Sequence, residues 1–127
     1  MTMTIKEKYQ KLCDRLYDKT SDGSLQWSPD IINEEAVFCE IGKSTIELSE
    51  GRTDQQNPII IVSIRAENGR VVETFNDEDL LNVPVPYGTF DSYWQLLGEL
   101  LVKARRQVSG VDAVLDDILG ELDDTPF

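Results

Sequence analysis

A chain of 127 residues, 40% hydrophobic and 28% charged, has the size and composition of a single soluble domain. Its 24 acidic residues against 12 basic ones leave a net charge of -12, which disfavours nucleic acid and anionic membrane as direct ligands and favours basic protein partners. With no histidine, no paired-cysteine motif and no glycine-rich phosphate loop, Ser-His and Cys-His nucleophiles and the commonest zinc and iron sites are excluded, and no cofactor or metal is expected.

The segment Met1–Glu7 lacks the basic, apolar, small-residue order of a signal peptide, so a cytoplasmic location is expected. Within it, Thr4-Ile5-Lys6-Glu7 reads as a capping box, and Ile5, Tyr9, Leu12, Cys13 and Leu16 follow at helical spacing. This predicts an amphipathic helix over about 4–18, closed by the polar run 20–24. Leu25-Gln26-Trp27 reads as a short extended piece, and Ser28-Pro29 as the opening of a brief helical turn through Asn33. Cys13 and Cys39 lie in apolar-patterned segments and are expected to be reduced, buried thiols.

Residues 37–49 predict a hairpin turning at Gly42-Lys43, with Val37 opposite Leu48, Cys39 opposite Ile46 and Ile41 opposite Ser44. A second hairpin is predicted over 59–75. Its first strand, Ile59 to Ile64, is apolar on both faces, as a central strand or one covered by a partner would be. Its turn, Asn68-Gly69, favours type I′, in which both central residues take positive φ. The stretch from Leu80 to Thr89 holds Pro84, Pro86 and Gly88 and reads as a connecting arm; Tyr87 within it is a candidate contact residue.

From Asp91 as N-cap, Tyr93, Trp94, Leu97, Leu100, Leu101, Ala104 and Val108 form one apolar stripe over about 91–108, and both Tyr93 and Trp94 are expected in the core. Ser109 with Asp112 resembles a second capping box before a last helix over about 111–122. After Gly110 the chain carries Asp112, Asp116, Asp117, Glu121, Asp123 and Asp124 and no Lys or Arg, so half of the net charge lies in that helix and an acidic tail over 123–127. Asp112 and Asp116, one turn apart, are read as part of a wet helix face rather than as cation ligands.

The segregated strand and helix runs predict an α+β domain: a mainly antiparallel sheet of about four strands, with one N-terminal and two C-terminal helices packed on one face. The uncovered face would then carry Phe38, Thr45, Val72 and Thr74 as a homodimer or protein-binding surface. Ser24-Leu25-Gln26-Trp27, with Ala104-Arg105-Arg106-Gln107, Val111-Asp112, Leu115, Ile118-Leu119 and Leu122, resembles a class of small acidic bacterial or prophage α+β proteins. That resemblance implies an α+β fold and a bacterial setting, and it transfers no catalytic residue.

For function, the residues offer surfaces rather than reactive groups. The expectation is a non-enzymatic acidic protein-binding module, regulatory or inhibitory, contacting a basic protein or a second copy. Tyr87, Asp116, Asp117, Glu121, Asp123 and Asp124 are the candidate interaction residues. Two alternatives stand beside it: a nucleic-acid mimic that occupies a basic site of a nuclease or another DNA-binding protein, and a small carboxylate- or metal-dependent hydrolase. Exposed acids in regular rows across several elements would favour mimicry, whereas a single acidic helix beside an apolar patch would favour an ordinary interface.

Overall fold

The structure, a computed structural model, describes residues 2–33, 35–86 and 90–124. The first helix, α1 (Ile5–Ser21), starts at the predicted capping box: Thr4 Oγ1 accepts from the Glu7 N–H at 3.1 Å, and the Glu7 carboxylate accepts from the Thr4 N–H at 3.5 Å. Past its end, Gln107 receives the Trp27 N–H at 2.9 Å and donates to the Leu25 carbonyl at 3.2 Å, which holds residues 25–27 extended. The Trp27 indole N–H donates to the buried Thr20 hydroxyl at 2.9 Å, so the ring is buried with its one polar atom satisfied.

The sheet has five strands, not about four, in the order β1-β2-β3-β4-β5, all antiparallel: β1 (Ser28–Pro29), β2 (Val37–Ile41), β3 (Ser44–Arg52), β4 (Pro58–Arg65) and β5 (Val71–Asn76). The extra strand is the Ser28-Pro29 pair, which lies against Val37 and Phe38 instead of opening a helical turn. Proline is tolerated because this is the sheet edge, where its missing N–H costs no ladder bond. The β2–β3 register is the one the alternation predicts, Val37 with Leu48, Cys39 with Ile46 and Ile41 with Ser44.

The β4–β5 hairpin forms, but its turn differs from expectation. Ala66 receives the Gly69 N–H and donates to the Arg70 carbonyl, both at 2.9 Å, so the loop holds three residues, and only Gly69 takes positive φ (83°). That is the geometry of a type I turn closed by a left-handed glycine, and it accompanies a register shift at Ile64/Arg65. A 3₁₀ turn (Asp77–Leu80) follows, capped by Asn76 and Asp79. The buried Asp77 carboxylate accepts the Ile60 N–H at 2.7 Å and so pins the start of β4 to this turn.

Helix α2 (Tyr93–Ser109) is capped by Ser92 rather than Asp91, and it ends at Gly110 in the left-handed conformation. Its Tyr93, Leu96, Leu97, Leu100, Leu101 and Ala104 pack with Cys13 and Leu16 of α1 over Val37, Cys39, Ile46, Leu48, Ile60, Val62 and Phe75 of the sheet. Tyr9 stacks on Phe75 with ring centroids 4.0 Å apart. Both thiols are buried, and desolvation pushes their pKa up, that of Cys39 to about 12. Two corrections concern the helices. Trp94 is 46% exposed at the margin of the α2 stripe and not in the core. Helix α3 (Val111–Asp124), expected to end by about 122, continues through Asp123 and Asp124; its acids are exposed, as expected, but its apolar side, expected to pack with the other helices on one sheet face, buries none of its residues. No helix among the described residues is long and apolar enough to cross a membrane.

Candidate protein-docking surface

Residues 111–124 have the apolar period of an amphipathic helix, although the Ser109 hydroxyl donates to the Arg106 carbonyl at 3.1 Å rather than forming the expected capping box. Val111, Val114, Leu115, Ile118, Leu119 and Leu122 recur at three- and four-residue spacing and form one continuous stripe. In a helix that packs on its own domain this stripe would be buried; here each of the six leaves between 36% and 56% of its surface exposed. The cause lies at the junction. Gly110 is the single residue between α2 and α3, its left-handed backbone turns the chain, and the Val114 N–H donates to its carbonyl at 3.1 Å, so α3 begins at once in a new direction. Antiparallel helices joined tightly need a loop of about two to five residues, so α3 cannot lie back along α2.

The acids frame the stripe. By helical position Asp112, Asp116 and Asp123 fall along one edge and Asp117, Glu121 and Asp124 along the other, with Ala113 and Gly120 behind. All six acids are exposed. Arg106 of α2 reaches Asp112 at 3.9 Å across the junction, a surface pair of small energetic weight. Of the sequence-predicted interaction residues, Asp116, Asp117, Glu121, Asp123 and Asp124 are therefore brought together on one helix, and Tyr87 lies outside the described residues. The apolar half of this surface was not among the expected interaction residues.

Of the concavities among the described residues, two of the larger lie elsewhere. A groove of about 800 Å³ runs beside α2, floored by Ile59, Phe90, Trp94, Gly98 and Val102 and rimmed by Glu35, Glu50, Glu99 and Arg52. Its polar rim is partly committed, since Arg105 pairs with Glu50 at 2.8 Å and donates to the Glu35 carbonyl at 2.7 Å. A second pocket of about 550 Å³ lies on the sheet face opposite the helices, where Phe38, Thr45, Glu47 and Arg65 meet Asp30 and the almost fully exposed Ile31 and Ile32. That face does carry Phe38, Thr45 and Thr74 as expected, but Glu40, Glu47, Ser63 and Arg65 lie among them, so it is a mixed surface rather than an apolar patch.

This second pocket contains an arrangement that invites a chemical reading, and the sequence did not reveal it, because its parts come from β3, β4 and the loop after β1. Desolvation and a hydrogen bond to Asp30 raise the Glu47 pKa against the opposing pull of Arg65, whereas the bond to Glu47 and the N–H groups of Ile32 and Asn33 lower that of Asp30. Of the two, Glu47 is thus the weaker acid. Opposed shifts of two neighbouring carboxyls are one requirement of acid–base catalysis by a carboxyl pair. Arg65 stands beside them at 3.3 Å from Glu47, with its buried Nε lacking a hydrogen-bond partner. No group of three or more Cys, Asp or Glu side chains suited to a metal ion occurs among the described residues.

Comparison with known proteins places no name on this surface: no family model matches the chain, and no curated protein or solved structure matches it.

Proposed function

We propose that this protein is a non-enzymatic protein-binding module that presents α3 as its docking element. The observation that carries this reading is the outward-facing apolar stripe of α3, six aliphatic residues on one face of a helix that has no buried residue. Contiguous apolar exposure on that scale marks interaction surfaces. Solvating so much hydrocarbon is unfavourable at roughly 25 cal/mol per Å², and a partner that covers it recovers that free energy. The acids favour an interface over nucleic-acid mimicry, because they flank an apolar stripe on one helix and do not form a phosphate-like array on their own. The hydrolase alternative would have to rest on the Asp30–Glu47 pair.

The test is comparative capture. Wild type and a Leu115→Glu, Ile118→Glu variant, both immobilised as the full chain, are exposed to the same cell lysate. The module reading requires proteins that wild type retains and the variant loses, with an unchanged far-ultraviolet spectrum. Identical retention by the two chains would refute it.

A further inference from the structure

We infer that the partner of α3 is a protein carrying an apolar groove rimmed by Lys and Arg side chains, which receives α3 as a docked amphipathic helix. The inference rests on the module reading above and adds the chemistry of the receiving site. Val111, Leu115, Ile118 and Leu122 follow a four-three-four spacing, the seam of a helix packed at a shallow crossing angle against one or two others. A helix lying in a hydrophobic groove is a recurrent recognition mode, and these four are the anchors such a groove would read.

Charge selects among the surfaces that could cover the seam. Both edges of the stripe are acidic and residues 111–124 include no base. Asp112 with Asp116 and Asp117 with Glu121 are like-charged pairs one turn apart, and Asp123 and Asp124 lie at the negative end of the helix dipole. Each of these arrangements destabilises a free helix and is relieved by cations along the rim of a groove. An anionic lipid surface would aggravate all of them. The one-residue link at Gly110 keeps the seam from folding back along α2, and Asp112 at the start of α3 pairs with Arg106 of that helix.

A second copy is the remaining occupant, and it does offer an apolar groove, beside α2. That groove is rimmed by Glu35, Glu50 and Glu99, with Arg52 the only base lining it among the described residues, and Glu50 already holds Arg105. Seating α3 there would set carboxylates against carboxylates in a molecule of net charge -12. A foreign basic rim meets the same seam without that opposition, and it gains from electrostatic steering during encounter.

The probes are two designed helical hairpins that share one leucine-lined groove, the first rimmed by Lys and the second by Glu. Binding to the full-length protein is measured by fluorescence anisotropy at low and high salt, together with sedimentation of the protein alone over a wide concentration range. The Lys-rimmed hairpin is expected to bind at least about tenfold more tightly than its Glu-rimmed twin, with affinity falling as salt rises. Leu115→Ala with Ile118→Ala should weaken it by at least about tenfold, as the loss of central anchors does, and circular dichroism verifies that the variant stays folded. The protein alone should sediment as a monomer. Equal affinity for both hairpins, still reduced by the double variant, would overturn the basic rim and leave the module reading intact. A concentration-dependent dimer dissolved by the double variant would overturn the inference by assigning α3 to a second copy. A monomer whose binding to either hairpin is absent, or indifferent to the double variant, would overturn both readings.

Discussion

Replacing one leucine in α2 and one in α3 by alanine separates a residue that holds the domain together from one that is displayed. Leu97 is completely buried, between α2, α1 and the sheet, whereas Leu119 is 56% exposed on the stripe of α3. Leu97→Ala removes three carbons from a close-packed interior that relaxes only partly, at a cost of about 2–5 kcal/mol. Leu119→Ala keeps helix propensity, because alanine is as good a helix former as leucine, and it removes a contact that folding makes only in part. Its effect should stay within about 0.5 kcal/mol. For a domain of this size each kcal/mol moves Tm by about 3–5 °C, so the expected depressions are on the order of 6–25 °C for Leu97→Ala and under about 3 °C for Leu119→Ala. Urea denaturation followed by far-ultraviolet circular dichroism gives the free energies, and calorimetry the midpoints. A loss of about 2 kcal/mol or more in Leu119→Ala would refute the reasoning, since it would mean that the stripe is buried in the folded monomer.

Three further substitutions probe the frame that positions α3. Gly69→Val should cost roughly 1 kcal/mol or more, because a β-branched residue resists the φ of 83° at the β4–β5 turn; an unchanged urea midpoint would count against the turn geometry. Thr20→Val keeps the shape but strands the Trp27 indole N–H in a buried setting, for a loss of about 1–3 kcal/mol, and a neutral result would show that the ring does not depend on that bond. Desolvation raises the pKa of the Asp77 carboxyl in the folded state, so folding is favoured by this group below its ordinary value and that contribution is lost as pH rises through the raised one. Asp77→Asn can still accept the Ile60 N–H and does not titrate, so its urea midpoint should improve relative to wild type between about pH 3.5 and about pH 7. A gap that moves the other way would contradict the assigned cause.

Period and pairing made much of the fold legible. The β2–β3 register follows from strict alternation on either side of Gly42, and the capping box at Thr4 announces α1 because its two reciprocal bonds need only local residues. The strand at Ser28-Pro29 escaped because two residues carry no period; pairing with Val37 and Phe38 defines it, and that partner lies beyond the intervening loop. Trp94 and Tyr93 share one stripe in sequence, yet the sheet covers only part of that stripe, and the adjacent positions end on opposite sides of its margin.

The docking surface was half legible. Its acids stand out as a run without bases, but the apolar pattern of a helix packed on its domain is the same as that of a helix held away from it. The signal that distinguishes them is the one-residue link at Gly110, too short for a helix hairpin, and it is meaningful only once α2 is known to run to Ser109. The contact of Asp30, Glu47 and Arg65 had no sequence signal, because three distant segments supply it.

The measurement that bears most directly on the docking role of α3 is site-specific photo-crosslinking in cells. A photoreactive benzoylphenylalanine is placed at Leu115, in the centre of the exposed stripe, or at Ala113 on the opposite side of the same helix. The account predicts a discrete heterologous adduct from position 115, absent from position 113, whose partner carries an apolar groove bordered by basic side chains. No adduct at either position, or the same adducts at both, would contradict it.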